Sequence, residues 1–261
     1  MCDYSGMRTV LAKRFSWAIA VALCSLSLIL TACSNPLSRF VKQYKCQIEG
    51  KSEPRTAYQY VDRAMEHVNA EQFDCALAAC SEAIRIDPRL ASGYACRGGV
   101  LRNQYEYQKA LKDYDKALSM QPDNGDFYYN RSLVHSGLQN PDQALADLNK
   151  AIELIISPTG KSFAYSRRAE VLKKEGKLEG AVKDYTEAIR LLPTFAYHHN
   201  NRGDVYLELK EFQKAIADFT EAIKIDPANT YFYEDRAKAY RALGQEELAL
   251  KDELLAKGVK E

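Results

Sequence analysis

One phrase of the sequence, Thr186-Glu187-Ala188-Ile189-Arg190-Leu191-Leu192-Pro193, returns 34 residues later as Thr220-Glu221-Ala222-Ile223-Lys224-Ile225-Asp226-Pro227. Earlier versions stand at 81–88 and 115–122, and their final prolines are again 34 residues apart. A fixed period of this length is typical of arrays in which one small unit is stacked repeatedly. We therefore predict a repeat protein rather than a single large core.

Alanine marks another register of the same period. It occupies the twentieth position of all six units that the alignment defines, as Ala76, Ala110, Ala144, Ala181, Ala215 and Ala249. The units are 57–90, 91–124, 125–161, 162–195, 196–229 and 230–261, and three extra residues fall near 155–160. With small residues at the eighth position and mostly tyrosine at the fourth, the pattern resembles the tetratricopeptide repeat. The resemblance implies an all-α fold, an α-solenoid (superhelix) of six helix-turn-helix units.

Arginine and aspartate also recur at fixed positions. The seventh position is Arg63, Arg97, Arg131, Arg168, Arg202 and Arg236, and the twenty-third is Asp113, Asp147, Asp184, Asp218 and Asp252 in units two to six. Because arginine suits a bidentate, partly buried carboxylate, we expect each pair to form across the two helices of its own unit. The alternative is an arginine ladder for an anionic ligand.

The overall charge is close to balanced, with 36 Lys and Arg against 35 Asp and Glu. A net charge of +1 offers no general attraction for nucleic acid, and we predict no nucleic-acid partner. A chain that is 46% hydrophobic and 27% charged is neither disordered nor a polytopic membrane protein.

The amino-terminal segment has the pattern of an export signal. Arg8, Lys13 and Arg14 precede an apolar run at 15–30, which is shorter than the ~20 residues that a spanning helix needs. The run ends in Leu30-Thr31-Ala32-Cys33 and resembles a bacterial lipoprotein signal. The resemblance implies a signal peptide at 1–32, lipidation of Cys33 and a membrane tether at 33–56. An uncleaved anchor or an ordinary secretory signal is the alternative.

A candidate binding surface follows from the repeat resemblance. In such arrays the first helices line a concave face, which implies groove residues Tyr58, Asp62, Tyr129, Asn130, Arg167, Tyr197, Asn201, Asp204, Tyr231 and Asp235. Rings supply apolar area, and amides pair with the backbone of an extended peptide. A convex or edge surface remains the alternative. Asn130 and Arg167 match two positions of the known carboxylate clamp, but Ala95, Gly99 and Phe163 do not, so that clamp is not expected.

The pattern gives little support to catalysis or metal binding. The histidines are scattered over several units, and no serine-histidine-aspartate arrangement, phosphate loop or CxxC spacing occurs. We predict no catalytic residues, no metal, no cofactor and no small-molecule substrate. Cys80 and Cys96 are a possible disulfide in an oxidising compartment, and Cys46 is then available to Cys75. The alternative is free, buried thiols.

These features together predict a non-enzymatic scaffold. We expect a lipid-anchored adaptor in the bacterial envelope, at the periplasmic face of the outer membrane, that binds other proteins or their extended segments. The outer-membrane assignment rests on the residue after Cys33, which is Ser34 and not Asp. In lipoproteins of the enteric type, which this signal resembles, that choice is the outer-membrane address. The alternative is an accessory or regulatory subunit of one envelope enzyme, or of a secretin or pilus assembly machine. The sequence specifies no oligomeric state.

Overall fold

The computed structural model describes Cys46 and residues 56–258. The chain divides into two compact units, Met1–Lys51 and Ser52–Glu261. In the first unit the described residue is Cys46, which lies in a turn. The predicted signal peptide 1–32 and the predicted lipidation site Cys33 lie outside the described residues, as does most of the predicted tether.

Residues 56–258 form twelve α-helices and no strand. The helices are α1 (Ala57–Asn69), α2 (Phe73–Ile86), α3 (Ala91–Asn103), α4 (Tyr107–Met120), α5 (Gly125–Gly137), α6 (Pro141–Leu154), α7 (Pro158–Lys174), α8 (Leu178–Leu191), α9 (Ala196–Glu208), α10 (Phe212–Ile225), α11 (Thr230–Ala242) and α12 (Glu246–Ala256). Each odd-numbered helix packs against the helix that follows, and each even-numbered helix packs against the first helix of the next unit. The predicted all-α solenoid is confirmed.

Small residues let the two helices of each unit approach closely. All six alanines at the twentieth position are fully buried. At Gly98 in α3, an added Cβ would lie 3.0 Å from a ring carbon of Tyr114 in α4. Bulky rings therefore fill the space beside residues without room for a side chain, and close packing of this kind positions the outer surfaces of the helices.

The turn inside each unit has a feature that the sequence pattern did not predict. One residue in the left-handed region stands at the fifteenth position of every unit, with φ between +57° and +71°: Glu71, Tyr105, Gln139, Gly176, Lys210 and Gly244. Only two of these are glycine, the residue that adopts this conformation without steric cost. The helix-to-helix geometry therefore imposes the turn on four other residue types.

The fourth unit accommodates the extra residues at the start of its first helix. Helix α7 has 17 residues, whereas every other first helix has 13. It begins at Pro158, four residues before the predicted unit start at 162, and the Ser157 side chain caps it by accepting a hydrogen bond from the Gly160 amide. The surplus thus lengthens a helix instead of widening a loop.

The expected arginine–aspartate pairs form in units two to six. Each guanidinium donates two hydrogen bonds of 2.7–2.8 Å to the aspartate of its own unit, in the pairs Arg97–Asp113, Arg131–Asp147, Arg168–Asp184, Arg202–Asp218 and Arg236–Asp252. In the first unit, where Ala79 replaces aspartate, Arg63 Nε lies 3.8 Å from Glu66 Oε2. The arginines therefore hold helix pairs together, as the structural interpretation predicted.

A disulfide joins the first two repeat units, 57–90 and 91–124. Cys80 of α2 and Cys96 of α3 have an S–S distance of 2.06 Å, and Cys80 is fully buried. Cys46 and Cys75 are each in the disulfide form as well. The Cys80–Cys96 link covalently fixes the second helix of one unit to the first helix of the next.

Candidate functional site

The first helices lie beside one another along one side of the stack. Helix α1 contacts α3, α3 contacts α5, and α9 contacts α11, although a second helix lies between each pair in the chain. In a curved solenoid, first helices of consecutive units contact each other directly on the shorter, concave side. We call the surface formed by the odd-numbered helices on this side the inner face, and the predicted groove residues belong to these helices.

Tyrosines stand exposed on the inner-face helices. The exposed fractions of Tyr58, Tyr197 and Tyr231 are 66%, 46% and 67%, and each ring lies in the first turn of its helix. Tyr129 behaves differently, because it is half-buried against the cluster of Ala144, Leu148 and Val171. Three of the four predicted groove tyrosines thus offer ring area to a partner, while the fourth contributes to the core.

An aromatic run connects units four to six. The ring of Phe163 packs edge-on against Phe195 at 5.3 Å, Phe195 lies 5.6 Å from Tyr197, and Tyr197 packs against the buried ring of Phe232 at 5.3 Å. The Tyr197 hydroxyl also accepts a hydrogen bond of 3.0 Å from Asn229 Nδ2. These contacts hold Tyr197 in place, so its exposed edge is a rigid feature of the surface.

Polar groups link neighbouring first helices across the inner face. Arg102 Nη1 donates to Asn130 Oδ1 at 3.2 Å, and Asn130 Nδ2 donates to the Asp126 carbonyl. Two units further on, Asn200 Nδ2 donates to Asp235 Oδ2 at 3.0 Å. The side-chain amides of Asn130 and Asn200 are therefore already engaged, and the bond from Asn200 in α9 to Asp235 in α11 joins adjacent units.

A cavity of about 340 Å³ opens between units four and five. Its lining residues are Glu170, Lys173, Lys174, Tyr185, Asn201, Asp204 and Glu208. Lys173 Nζ lies 3.2 Å from Glu208 Oε1 and 3.8 Å from Asp204 Oδ2. Arg167 forms an ion pair with Glu170 on the same helix. The cavity thus has an acidic wall on α9 that faces lysines on α7.

Burial raises the pKa of two cavity residues. The pKa of Asp204 is raised to about 6, mainly because burial disfavours its charged form and secondly because of the negative charge of Asp235. Burial likewise raises the pKa of the Tyr185 hydroxyl. Asp204 is therefore an acid that the fold keeps in an unfavourable environment, in a place where a partner could reach it.

A buried polar pair lies behind the aromatic run. His198 Nε2 and Ser162 Oγ are 2.7 Å apart, both side chains are fully buried, and His198 Nδ1 has no hydrogen-bond partner. Burial, followed by the nearby charge of His199, lowers the pKa of His198 to about 4. This pair lies in the interior of the stack and serves packing between α7 and α9.

The structure groups only part of the predicted site. Asn201 and Asp204 line one cavity, and Tyr231 and Asp235 occupy the neighbouring helix α11. Tyr58 and Asp62 lie on α1 at the opposite end of the array, with Asp62 exposed. The cavity also contains Tyr185, which comes from the second helix α8 and was not among the predicted groove residues.

Among Cys46 and residues 56–258, no helix combines the length and apolarity required to cross a membrane. In that same part, no three His, Cys, Asp or Glu side chains come together as a metal site would require.

Family models match four stretches of the chain. Three models described as the tetratricopeptide repeat match residues 91–124, 125–155 and 196–229, and one described as the TPR repeat matches 169–210. Among known proteins, human mitochondrial import receptor subunit TOM70 is 32% identical over 124 residues, or 47% of this chain. Human serine/threonine-protein phosphatase 5 is 32% identical over 123 residues, or 44% of this chain. The chain spans only 20% and 23% of the lengths of these two relatives.

Several solved structures share this architecture. PilW, a type IV pilus biogenesis factor, has a TM-score of 0.72 at 18% identity, covering 79% of this chain and 94% of that one. PilF of Pseudomonas aeruginosa has a TM-score of 0.69 at 17% identity, covering 78% and 91%. YrrB, described as having an unusual peptide-binding site, has a TM-score of 0.53 at 23% identity, covering 85% and 99%. At these identities the likeness concerns the fold alone.

Proposed function

Because four stretches of the chain match tetratricopeptide repeat models, we propose that the protein is a binding scaffold whose inner face holds an extended segment of a partner protein. The observation that carries the proposal is the exposure of Tyr197 and Tyr231 on neighbouring first helices, beside the cavity that Asn201 and Asp204 line. Such a surface offers apolar rings next to hydrogen-bonding and charged groups.

The rigidity of the array favours binding. The helices that carry the tyrosines are held by the arginine–aspartate pairs and by close packing at the alanine positions. A surface that is ordered before association saves part of the conformational entropy that binding costs. The scaffold therefore acts by presenting fixed groups, and we assign it no reaction.

We test the inner face by site-specific photocrosslinking in intact cells. A photoreactive phenylalanine analogue replaces Tyr197 or Tyr231 in one pair of variants and the exposed second-helix residues Gln143 or Lys183 in a control pair. We expect crosslinked partner proteins from the first pair only. Equal crosslinking from Gln143 and Lys183 would overturn the inner face as the binding surface and favour the outer one.

A triple variant tests the same surface by affinity. Asn130→Ala/Arg167→Ala/Asn201→Ala removes three predicted groove side chains, and Lys112→Ala/Gln143→Ala/Lys183→Ala removes three exposed side chains from second helices. We expect the first variant, and not the second, to fail to capture from detergent-solubilised envelopes the partners that crosslinking identifies. If every partner remains bound to the first variant, the proposed groove is wrong.

The proposal includes a lipid anchor at Cys33, supported by the apolar run and by the residues around that cysteine. An acylated cysteine would hold the scaffold at a membrane without a spanning helix. Labelling with radioactive palmitate should mark the wild type and Cys24→Ala, but not Cys33→Ala. Label that persists in Cys33→Ala would exclude this anchor. Ser34→Asp tests the outer-membrane address, because the substitution should move the protein to the inner membrane.

A further inference from the structure

Three acceptor groups on α9 and α11 meet at the boundary between units five and six. Asn200 is only 7% exposed, and its Nδ2 donates to Asp235 Oδ2. Its Oδ1 is buried and has no hydrogen-bond partner. An unpaired buried acceptor costs roughly 1–3 kcal/mol. The Asn200 amide is therefore paired with Asp235 through its nitrogen, while its oxygen lacks a donor.

Asp204 lies one helical turn after Asn200 on the same face of α9. Residues four apart on a helix are neighbours on its surface, so the Asp204 carboxylate stands next to the Asn200 amide. The nearest cation, Lys173, is 3.8 Å from Asp204 Oδ2, beyond hydrogen-bond distance, and lies closer to Glu208. Asp204 therefore has a charged neighbour but no close charge-assisted hydrogen bond from it.

The second carboxylate is only partly neutralised. Lys238 Nζ lies 2.7 Å from Asp235 Oδ1, but its side chain is 65% exposed to solvent. Exposed ion pairs of this kind contribute little and exchange readily with other partners. The raised pKa of Asp204, to which Asp235 contributes, shows that the two acids still repel each other. The two acids and the unpaired Asn200 oxygen thus concentrate negative charge and acceptors, and the lysine hydrogen-bonded to Asp235 is largely exposed.

We propose that Asp204, Asp235 and Asn200 form a subsite that binds the guanidinium group of an arginine side chain in the partner segment. This inference rests on the proposed function of the inner face and names one feature of what it binds. Two carboxylates and an amide oxygen require several donors, and guanidinium provides five in a flat fork. Because guanidinium is more weakly hydrated than ammonium, it also enters partly buried sites at a lower cost.

The neighbouring tyrosine completes the site. Tyr231 stands four residues before Asp235 on α11, hence on the same face, and its ring is 67% exposed. A guanidinium drawn to the acids can lie against such a ring, which attracts cations through its electron-rich face. The fold already contains this combination, since Arg131 lies over the Tyr128 ring at 5.5 Å and Arg168 over Tyr165 at 5.4 Å.

The experiment uses the full chain in detergent micelles and a phage-displayed library of random 12-residue peptides. We expect the selected peptides to be enriched in arginine, and Asp204→Asn/Asp235→Asn to weaken their binding by about 10–100-fold. The charge-matched control Asp142→Asn/Glu179→Gln removes two exposed acids from second helices and should leave binding unchanged. Circular dichroism checks that both variants remain helical.

Peptide chemistry identifies the cation. Replacing the selected arginine by citrulline, which keeps the shape and removes the charge, should weaken wild-type binding as much as the double variant does. In the double variant the same replacement should have little further effect, because the interaction is already lost. Lysine at that position should bind at least several-fold more weakly than arginine.

The outcomes separate this inference from the proposed function. Peptides that bind the inner face without arginine enrichment, or with equal affinity for the Asp204→Asn/Asp235→Asn variant, overturn the arginine subsite and leave the groove intact. Tighter binding of lysine peptides overturns it as well. If no peptide is selected, both the subsite and the peptide-binding groove fall.

Discussion

Arg131 and Asp115 lie in consecutive units and are joined by a hydrogen bond of 2.7 Å from Nη1 to Oδ1. Arg131 thereby holds Asp147 of its own unit with two nitrogens and the preceding unit with the third. The same third nitrogen reaches the preceding unit from Arg168 to Asn149, from Arg202 to Thr186 and from Arg236 to Thr220. In units three to six, one arginine therefore provides both cohesion within its unit and registration with the preceding unit.

The two carboxylates on Arg131 should differ greatly in their contributions to stability. The Asp147 side chain is 7% exposed, and removing it leaves a partly buried guanidinium without its main partner. We expect Asp147→Ala to lower the free energy of unfolding by about 3–5 kcal/mol. Asp115 is 54% exposed, so Asp115→Ala should cost less than about 1 kcal/mol. Urea denaturation followed by circular dichroism measures both, and equal losses would contradict this division.

Relief of backbone strain in a left-handed turn should, in contrast, raise the free energy of unfolding. Lys210 has a φ of +60° and is exposed, and we expect Lys210→Gly to raise the free energy of unfolding by about 0.5–1 kcal/mol. Gly244 has a φ of +71° with no atom within 4 Å of an added Cβ, so Gly244→Ala should cost about 1 kcal/mol through the backbone alone. Denaturation midpoints test the pair. Destabilisation by Lys210→Gly would show that its side chain, and not the backbone, dominates.

The sequence predicts a structural feature well when the cause of that feature lies within one repeat unit and a particular residue type marks it. The alanine register and the Arg131–Asp147 pairing follow from spacing, because every unit repeats the same packing problem. The left-handed turn was missed because its position is occupied by Glu71, Tyr105 and Lys210 as well as by glycine, so no residue type marks it. The Asn200–Asp235 bond joins different units, and a repeat pattern describes a unit better than a particular contact between two of them.

The buried His198 should make stability depend on pH. Its pKa of about 4 in the folded state lies below the unfolded value of about 6.5, so the unfolded chain binds the proton first as the pH falls. The stabilisation is complete above pH 6.5 and decreases between pH 6.5 and 4. At pH 4 the loss should be about 3 kcal/mol.

A comparison with Ser162→Ala/His198→Phe isolates this effect. The double substitution removes both partners of the buried hydrogen bond and keeps an aromatic ring beside Phe195, which now lies 4.7 Å from His198. Contributions from other groups, such as Asp204, cancel when the two pH profiles are subtracted. Urea denaturation from pH 7.5 to 4 should show that only the wild type loses this stability as the pH falls. Parallel profiles would mean that folding does not shift the pKa of His198, and would refute the prediction.

We expect replacement of Asp204 by a neutral residue to stabilise the fold. Its pKa is raised to about 6, above its ordinary value, so the folded state takes up the proton more readily than the unfolded state. The favourable contribution is therefore present at low pH and is lost as the pH rises through 6, which leaves a charged carboxylate beside Asp235 at pH 8. Because the side chain is 34% exposed, solvent reduces the penalty, and we expect Asp204→Asn to gain about 1–2 kcal/mol at pH 8.

The pH dependence of the stability gained by Asp204→Asn identifies the cause of the gain. It should disappear between pH 6 and pH 4, where the wild-type carboxyl becomes neutral, whereas exposed Asp142→Asn should change little at either pH. A variant that is more stable but binds arginine peptides less well would place Asp204 among residues kept for recognition at the expense of stability. If Asp204→Asn instead destabilises the protein at pH 8, Lys173 and Lys238 already satisfy the carboxylate, and the acidic subsite has no unmet need for a cation.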